Sequence, residues 1–289
     1  MKGIVLAGGT GSRLYPATFA LCKQLLPVYD KPMIYYPLSI LMLAGLREIL
    51  IISTKEDTPR FQKLLGDGSH LGLKISYTVQ DRPEGIAQAL ILGEPFLAGD
   101  SVALILGDNL FYGHRLGDVV REAAKISMGA SIFGYRVHDP ERYGVVSLNE
   151  QREAIDLEEK PKNPKTRYAV PGLYFYSSDV VDLAKSLTPS HRGELEITDL
   201  NRIYLQQKRL EVHLLGRGVA WLDTGTFDAY QKASSFVQAV QERQGIKIAC
   251  LEEIAYRMGS ISKEELLSLA KKYKNNEYGD YLCHVAEDI

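Results

Sequence analysis

Near the start of the chain, Leu6-Ala7-Gly8-Gly9-Thr10-Gly11-Ser12-Arg13-Leu14 sets three glycines and a cation directly after an apolar run. Glycines let the backbone turn tightly and bring its N–H groups against anionic oxygens, and a guanidinium forks onto two such oxygens at once, so the chemistry of this pattern is phosphate recognition. Two better-known phosphate loops do not fit. A GxxxxGK[ST] loop begun at Gly8 needs glycine where Arg13 stands, and a GxGxxG loop begun at Gly9 meets Leu14 in place of its last glycine. Nor does an acidic residue close the next apolar run at Ile52-Ser53-Thr54, as a dinucleotide fold requires. Lys23 follows in a stretch turned repeatedly by Pro16, Pro27 and Pro32. Alone it reads as a surface lysine; with Arg13 it brackets a triphosphate, Arg13 on the outer phosphates and Lys23 nearer the one attacked. Two carboxylates complete the set: Asp108 closes the apolar run Leu104-Ile105-Leu106-Gly107, and Asp223 in Trp221-Leu222-Asp223-Thr224-Gly225 precedes a helical pattern. Each taken singly suits a turn or a helix cap equally well.

Such groups need rigid elements to hold them. Lys2 to Ala7, Ile49 to Ser53, Lys74 to Thr78, Val102 to Leu106 and Ala130 to Arg136 read as strands alternating with helical patterns, and several are apolar without alternation, as strands covered on both faces are. This predicts an α/β doubly wound core, with the glycine loop at a strand's carboxyl end where such folds bind ligands. Further strands are expected at Val145 to Leu148, Tyr168 to Tyr176 and Glu211 to Leu215, broken by a polar EEKPKNPKTR loop. The apolar spacing from Thr226 to Arg243 predicts a helix capped by Thr224 or Thr226, and KEELLSLAKKY after Ser262 predicts another, acidic at its start and basic at its end.

The chain has 289 residues, 45% of them hydrophobic, which is enough for a sizeable core in one large or two small domains. A net charge of -2 gives no overall field toward nucleic acid or an acidic membrane, and leaves small anionic ligands open. Cys22, Cys250 and Cys283 are odd in number with no CxxC, which points away from disulfides and thiolate zinc toward a reducing, cytoplasmic setting. The opening MKGIVLAGG reads as a first strand, not a signal peptide, and the apolar stretch from Met33 to Leu46 is interrupted and short of a membrane span. His70, His114, His138, His191, His213 and His284 form no metal-ligand spacing.

The segment GGTGSRLYPATFALCKQLLPVYDKPMIYYPL resembles the signature of the sugar-1-phosphate nucleotidylyltransferases, GGxGxRLxPxTxxxxKxxxPxxxKP, with every fixed position met. QDRPEGIAQAL, ILGDNLFYG, EEKPKNP, YAVPGLYFY and WLDTGTFDA extend the likeness over residues 3 to about 230. The resemblance implies a Rossmann-like, mixed and mostly parallel sheet with helices on both faces, sugar-binding insertions and a helical C-terminal region. It divides the chain into a nucleotidyltransferase core at 1–230 with sugar-phosphate segments, and a helical region at 231–289 for oligomerisation or regulation. It implies that dTTP and glucose 1-phosphate are joined with release of pyrophosphate, using Mg²⁺ on Asp108 and Asp223. Arg13, Lys23 and Lys160 take the catalytic positions. Leu6, Gly8, Gly9, Gly11, Gln80 and Gly85 take the nucleotide positions, where the Gln80 amide offers a donor beside an acceptor to the imide edge of thymine or uracil. Gly144, Glu159, Lys160, Val170, Tyr174 and Arg192 fall to the sugar phosphate. Also implied are a homotetramer and feedback inhibition by dTDP-rhamnose at Tyr112, Gly113, Arg217, Glu253 and Ile254, with the product feeding deoxysugar synthesis.

Three rivals stand beside this. A UTP-preferring uridylyltransferase differs only in the 5-methyl contact. A non-catalytic nucleotide-sugar sensor would have shed cations and carboxylates that are all present here. A nicotinamide-dependent oxidoreductase is opposed by the broken GxGxxG.

Overall fold

Along Ile49-Leu50-Ile51-Ile52 successive side chains enter two different apolar clusters, Ile49 and Ile51 one, Leu50 and Ile52 the other. Ile4 and Val5, and Val102 and Ala103, divide in the same way. Strands that bury both faces have no polar side to show, which is why these segments read as unbroken apolar runs. The computed structural model describes residues 1–9 and 11–288, so Thr10 of the glycine loop lies outside the described residues.

Among the described residues fourteen strands occur in order: β1 (Lys2–Ala7), β2 (Pro27–Val28), β3 (Lys31–Pro32), β4 (Glu48–Ser53), β5 (Lys74–Val79), β6 (Val102–Leu106), β7 (Asn109–Gly113), β8 (Ala130–Arg136), β9 (Gly144–Leu148), β10 (Ala154–Glu159), β11 (Tyr168–Ala169), β12 (Leu173–Tyr176), β13 (Leu210–Leu214) and β14 (Val219–Asp223). The helices are α1 (Tyr35–Leu43), α2 (Thr58–Leu65), α3 (Gln88–Leu92), α4 (Glu94–Leu97), α5 (Leu116–Ala123), α6 (Val180–Lys185), α7 (Ile197–Gln206), α8 (Phe227–Gln244), α9 (Leu251–Arg257), α10 (Lys263–Ala270) and α11 (Glu277–Glu287).

The main sheet is mixed, in the order β10-β9-β11-β8-β12-β6-β1-β4-β5, with β13 also paired to β8. It is parallel from β6 through β1 and β4 to β5, and antiparallel where β12 joins β6 and β8. Residues of α1, α2, α5 and α9 to α11 fill the cluster on one face, and residues of α3, α6 and α7 the other. Because β1 lies between β4 and β6, the chain leaves it toward opposite sides, and the crevice at its carboxyl end is the switch point where such sheets bind ligands. Gly8 and Asp108 both stand there.

Two local expectations are corrected. The expected strand from Tyr168 to Tyr176 is two, because Val170-Pro171-Gly172 interrupts it and Pro171 has no N–H for a ladder. The first residues of EEKPKNPKTR are not loop: Glu158 and Glu159 close β10, paired with Val145 and Gly144. Asn109–Gly113 and Val219–Asp223, where no strand was expected, pair with each other as an antiparallel ladder. Position 231, the expected domain boundary, lies inside α8, which continues to Gln244. Among the described residues no helix is long and apolar enough to cross a membrane, and Cys22 and Cys250 are buried free thiols while Cys283 is exposed.

Of the two expected caps, Thr226 is the one used, its hydroxyl accepting from the Ala229 N–H at 3.2 Å. Ser262 and Glu265 cap α10 reciprocally. Thr226→Ala should cost about 1 kcal/mol, read as a lower thermal midpoint, with Thr226→Ser recovering most of it; an unchanged midpoint in the alanine variant would remove this cap from the account.

Candidate active site

The ladder between β7 and β14 sets Asp223 directly opposite Asn109, the residue after Asp108. Two further links hold the strands there: the Trp221 indole N–H donates to Asn109 Oδ1 at 2.7 Å, and the Thr224 hydroxyl donates to the Asp108 carbonyl at 3.0 Å. Asn109 Oδ1 also accepts from the Gly172 N–H at 3.0 Å, and its amide donates to Asp108 Oδ1 at 2.9 Å. One buried asparagine therefore joins β6, the turn before β12, and β14.

Burial would raise Asp108, but Lys23 against Oδ2 and the hydrogen bond from Asn109 more than offset it, and the carboxyl sits below its ordinary range. Asp223 goes the other way. Burial and the charge of Asp108 push it up, and Lys23, Arg13 and Arg142 only partly compensate. A hard divalent cation fits this pair, since charge placed between two oxygen-donor groups relieves both the burial cost and the mutual repulsion. Among the described residues no group of three or more His, Cys, Asp or Glu side chains is arranged to hold a metal.

Two cavities beside them share Arg13. One, about 370 Å³, is lined by Gly8, Gly9, Gly11, Ser12, Arg13, Lys23 and Gln24 among others. Lys23 is buried here, unlike a surface lysine, whereas Arg13 is exposed. The other, about 260 Å³, takes in Asp108, Asp223, Gly144, Glu159, Lys160, Val170 and Tyr174, again with Arg13. Glu159 Oε2 accepts from the Thr198 hydroxyl at 2.5 Å, and the Lys160 ammonium lies 3.5 Å from Glu159 Oε1. Tyr174 is fully enclosed, and burial drives its phenol well above the ordinary value.

The remaining nucleotide and sugar positions stand just outside these walls. Gln80 is buried, donates to Gln88 Oε1 at 2.6 Å, and turns its own oxygen toward Gly8. A Cβ at Gly8 would lie 2.2 Å from that oxygen, so only glycine allows the approach. Leu6 packs on the second cluster. Gly85, at φ +105°, rests against the Leu195 backbone, 2.4 Å from where a Cβ would be. Arg192 is held bidentately by Glu196 and reaches Glu159 and Glu194 at 3.5 Å.

The five positions expected of a regulatory site form two groups away from both cavities. The Tyr112 hydroxyl donates to Gln244 at 2.7 Å, Gly113 pairs with Val219, and Arg217 is exposed in the turn before β14. Glu253 accepts from Arg257 and Tyr281 at 2.7 and 2.6 Å, with Ile254 beside it on α9.

Sequence reasoning did not single out several lining residues. Gln24 and Trp221 sat within quoted blocks, but nothing in their types marked a role. Arg142, 3.8 Å from Asp223, and Thr198 and Asn201 on α7 had no signal, since an arginine before Tyr143 and polar residues inside a helix are ordinary.

A model described as nucleotidyl transferase matches residues 2–240. A glucose-1-phosphate thymidylyltransferase of Neisseria meningitidis serogroup A is 57% identical over 285 residues, covering 99% of each chain. One of Mycobacterium tuberculosis is 54% identical over 287 residues, again covering 99% of each. Among solved structures, a Bacillus anthracis protein crystallised with a sucrose and assigned to the same activity superposes with a TM-score of 0.76 at 44% identity, over 82% of this chain and 94% of its own. UDP-glucose pyrophosphorylase complexed with UDP-glucose superposes at 0.72 with 25% identity, over 83% and 98%. The likeness runs the length of the relatives, and the chain belongs to the nucleotidyl transferase family, among its glucose-1-phosphate thymidylyltransferases.

Proposed function

We propose that the chain joins dTTP and glucose 1-phosphate to give dTDP-glucose and pyrophosphate, with Asp108 and Asp223 holding Mg²⁺. The observation that carries this is Arg13, which lines both cavities, so that a triphosphate in one and a sugar phosphate in the other meet at a single guanidinium. The full-length relatives support the choice of substrates, and the neighbour complexed with UDP-glucose supports a nucleoside diphosphate sugar as product. The family generally uses a divalent metal.

An oxygen of the sugar phosphate, already anionic, attacks the α-phosphorus in line. As that P–O bond forms, the bond to the bridging oxygen of the β-phosphate breaks, and its electron pair leaves with pyrophosphate. No proton has to move, so the residues position substrates and offset charge. Lys160, half exposed at the rim, meets the incoming phosphate. Arg192 adds positive charge on the same wall while steadying Glu159. Lys23 faces the α-phosphate from Asp108, and Arg13 with the loop N–H groups of Gly8, Gly9 and Gly11 takes the departing pyrophosphate. Gln80, fixed by Gln88, reads the base between Leu6 and Gly85, and Gly144, Glu159, Val170 and Tyr174 line the hexose. When bound, Mg²⁺ supplies further positive charge where negative charge gathers at the α-phosphate.

Pyrophosphate release, scored over nucleoside triphosphates against sugar 1-phosphates, should be fastest for dTTP with glucose 1-phosphate and vanish with a chelator. Faster turnover of UTP would make the chain a uridylyltransferase, and silence with every pair would favour a sensor. Arg13→Ala and Asp223→Asn should each lower kcat by about a hundredfold or more; the thermal midpoint should stay nearly unmoved in Arg13→Ala, whose side chain is exposed, and rise in Asp223→Asn, which removes the repulsion with Asp108; wild-type rates would strike that residue from the scheme. Gly85→Ala, forced against Leu195, should raise the KM for dTTP more than it lowers kcat. The regulatory reading expects a tetramer by gel filtration and inhibition by dTDP-rhamnose that is lost in Arg217→Ala; an insensitive monomer would end it.

A further inference from the structure

At the closed end of the sugar-side cavity stands a polar side chain for which the reaction above has no use. Asn201 lies one turn beyond Thr198 on α7, so both side chains line the cavity. It is only 1% exposed. Its Oδ1 accepts from the Tyr176 hydroxyl at 2.7 Å. That phenol is fully buried, its ring stacked between those of Tyr174 and Tyr204 at centroid distances of 6.1 and 5.7 Å. A buried hydroxyl must place its proton, and the amide oxygen is where this one goes. The orientation of the amide follows: the oxygen is taken, and the Asn201 NH₂ group has no hydrogen-bond partner among the described residues.

The sheet register says which end of the cavity this is. Leu173 pairs with Ile105 and Tyr176 with Val102, so Tyr176 stands at the start of β6, whereas Asp108 lies beyond its end. Arg13, Lys160 and the carboxylates therefore occupy the phosphate end, and Asn201 lies away from them near apolar Leu157 and Ile197. An enclosed amide donor in such surroundings calls for an uncharged oxygen.

We propose that Asn201 is a specificity-determining residue, its NH₂ group donating to one hydroxyl of the hexose and selecting against sugar phosphates that lack it. This rests on the reading that the cavity takes a hexose 1-phosphate. Asn201→Asp keeps the acceptor for Tyr176 and removes the donor; Asn201→Ala removes both.

With dTTP and Mg²⁺, kcat/KM is measured for glucose 1-phosphate and for its 2-, 3-, 4- and 6-deoxy analogues, in the wild type and both variants. The expected result is a loss of about tenfold or more with glucose 1-phosphate, shrinking to within about twofold for a single analogue, the one whose missing hydroxyl is the acceptor. An equal loss with all five sugars would assign Asn201 a structural role and overturn the proposal, as would no loss with any. Calorimetric binding of the same sugars separates the two readings. Glucose 1-phosphate bound by the wild type and about tenfold more weakly by the variants, with no turnover, would uphold Asn201 and withdraw the reaction. Binding of none of the sugars by the wild type would overturn both.

Discussion

Two carboxylates held close together away from water repel each other, and the site is organised around that repulsion. A strand ladder brings them near each other, setting Asp223 opposite Asn109, the residue after Asp108. The protein answers asymmetrically. Lys23 and the Asn109 amide stabilise one charge, and the other is left under-compensated, with Arg142 at 3.8 Å as its nearest ion-pair partner. That imbalance makes the pair a receptor for positive charge, and it exists before any substrate arrives.

Around the pair the two halves of the sheet take different tasks. The parallel half delivers Gly8 and Asp108 at neighbouring strand ends, on strands buried on both faces. The antiparallel half builds the second cavity, where β9, β10, β12 and α7 enclose a space lined by Glu159, Tyr143 and Tyr174. Arg13 lines both cavities and is exposed.

The five core strands and the two long helical patterns were legible in the sequence because burial on both faces and helical spacing leave strong local signals. The glycine loop was legible for the same reason: its geometry is set by residues adjacent in the chain. What escaped was long-range. Nothing near Asn109 announces that it meets Trp221, and a five-residue strand such as β14 has too few positions to show a period. The break in the Tyr168 to Tyr176 segment was signalled by Pro171 and overridden by the apolar run around it. Taken alone, Lys23 suited the surface as well as a site, and its burial could not be read because it depends on Asp108, far along the chain.

The indole–amide bond between Trp221 and Asn109 joins residues 112 positions apart. Closing so long a loop is entropically costly, and contacts of this span form slowly. The parallel strands can assemble as they are synthesised, but the acidic pair cannot come together until β14 has left the ribosome and found β7. The acidic pair is thus completed late in the life of each nascent molecule, and fragments that end before β14 carry the glycine loop and Asp108 without Asp223.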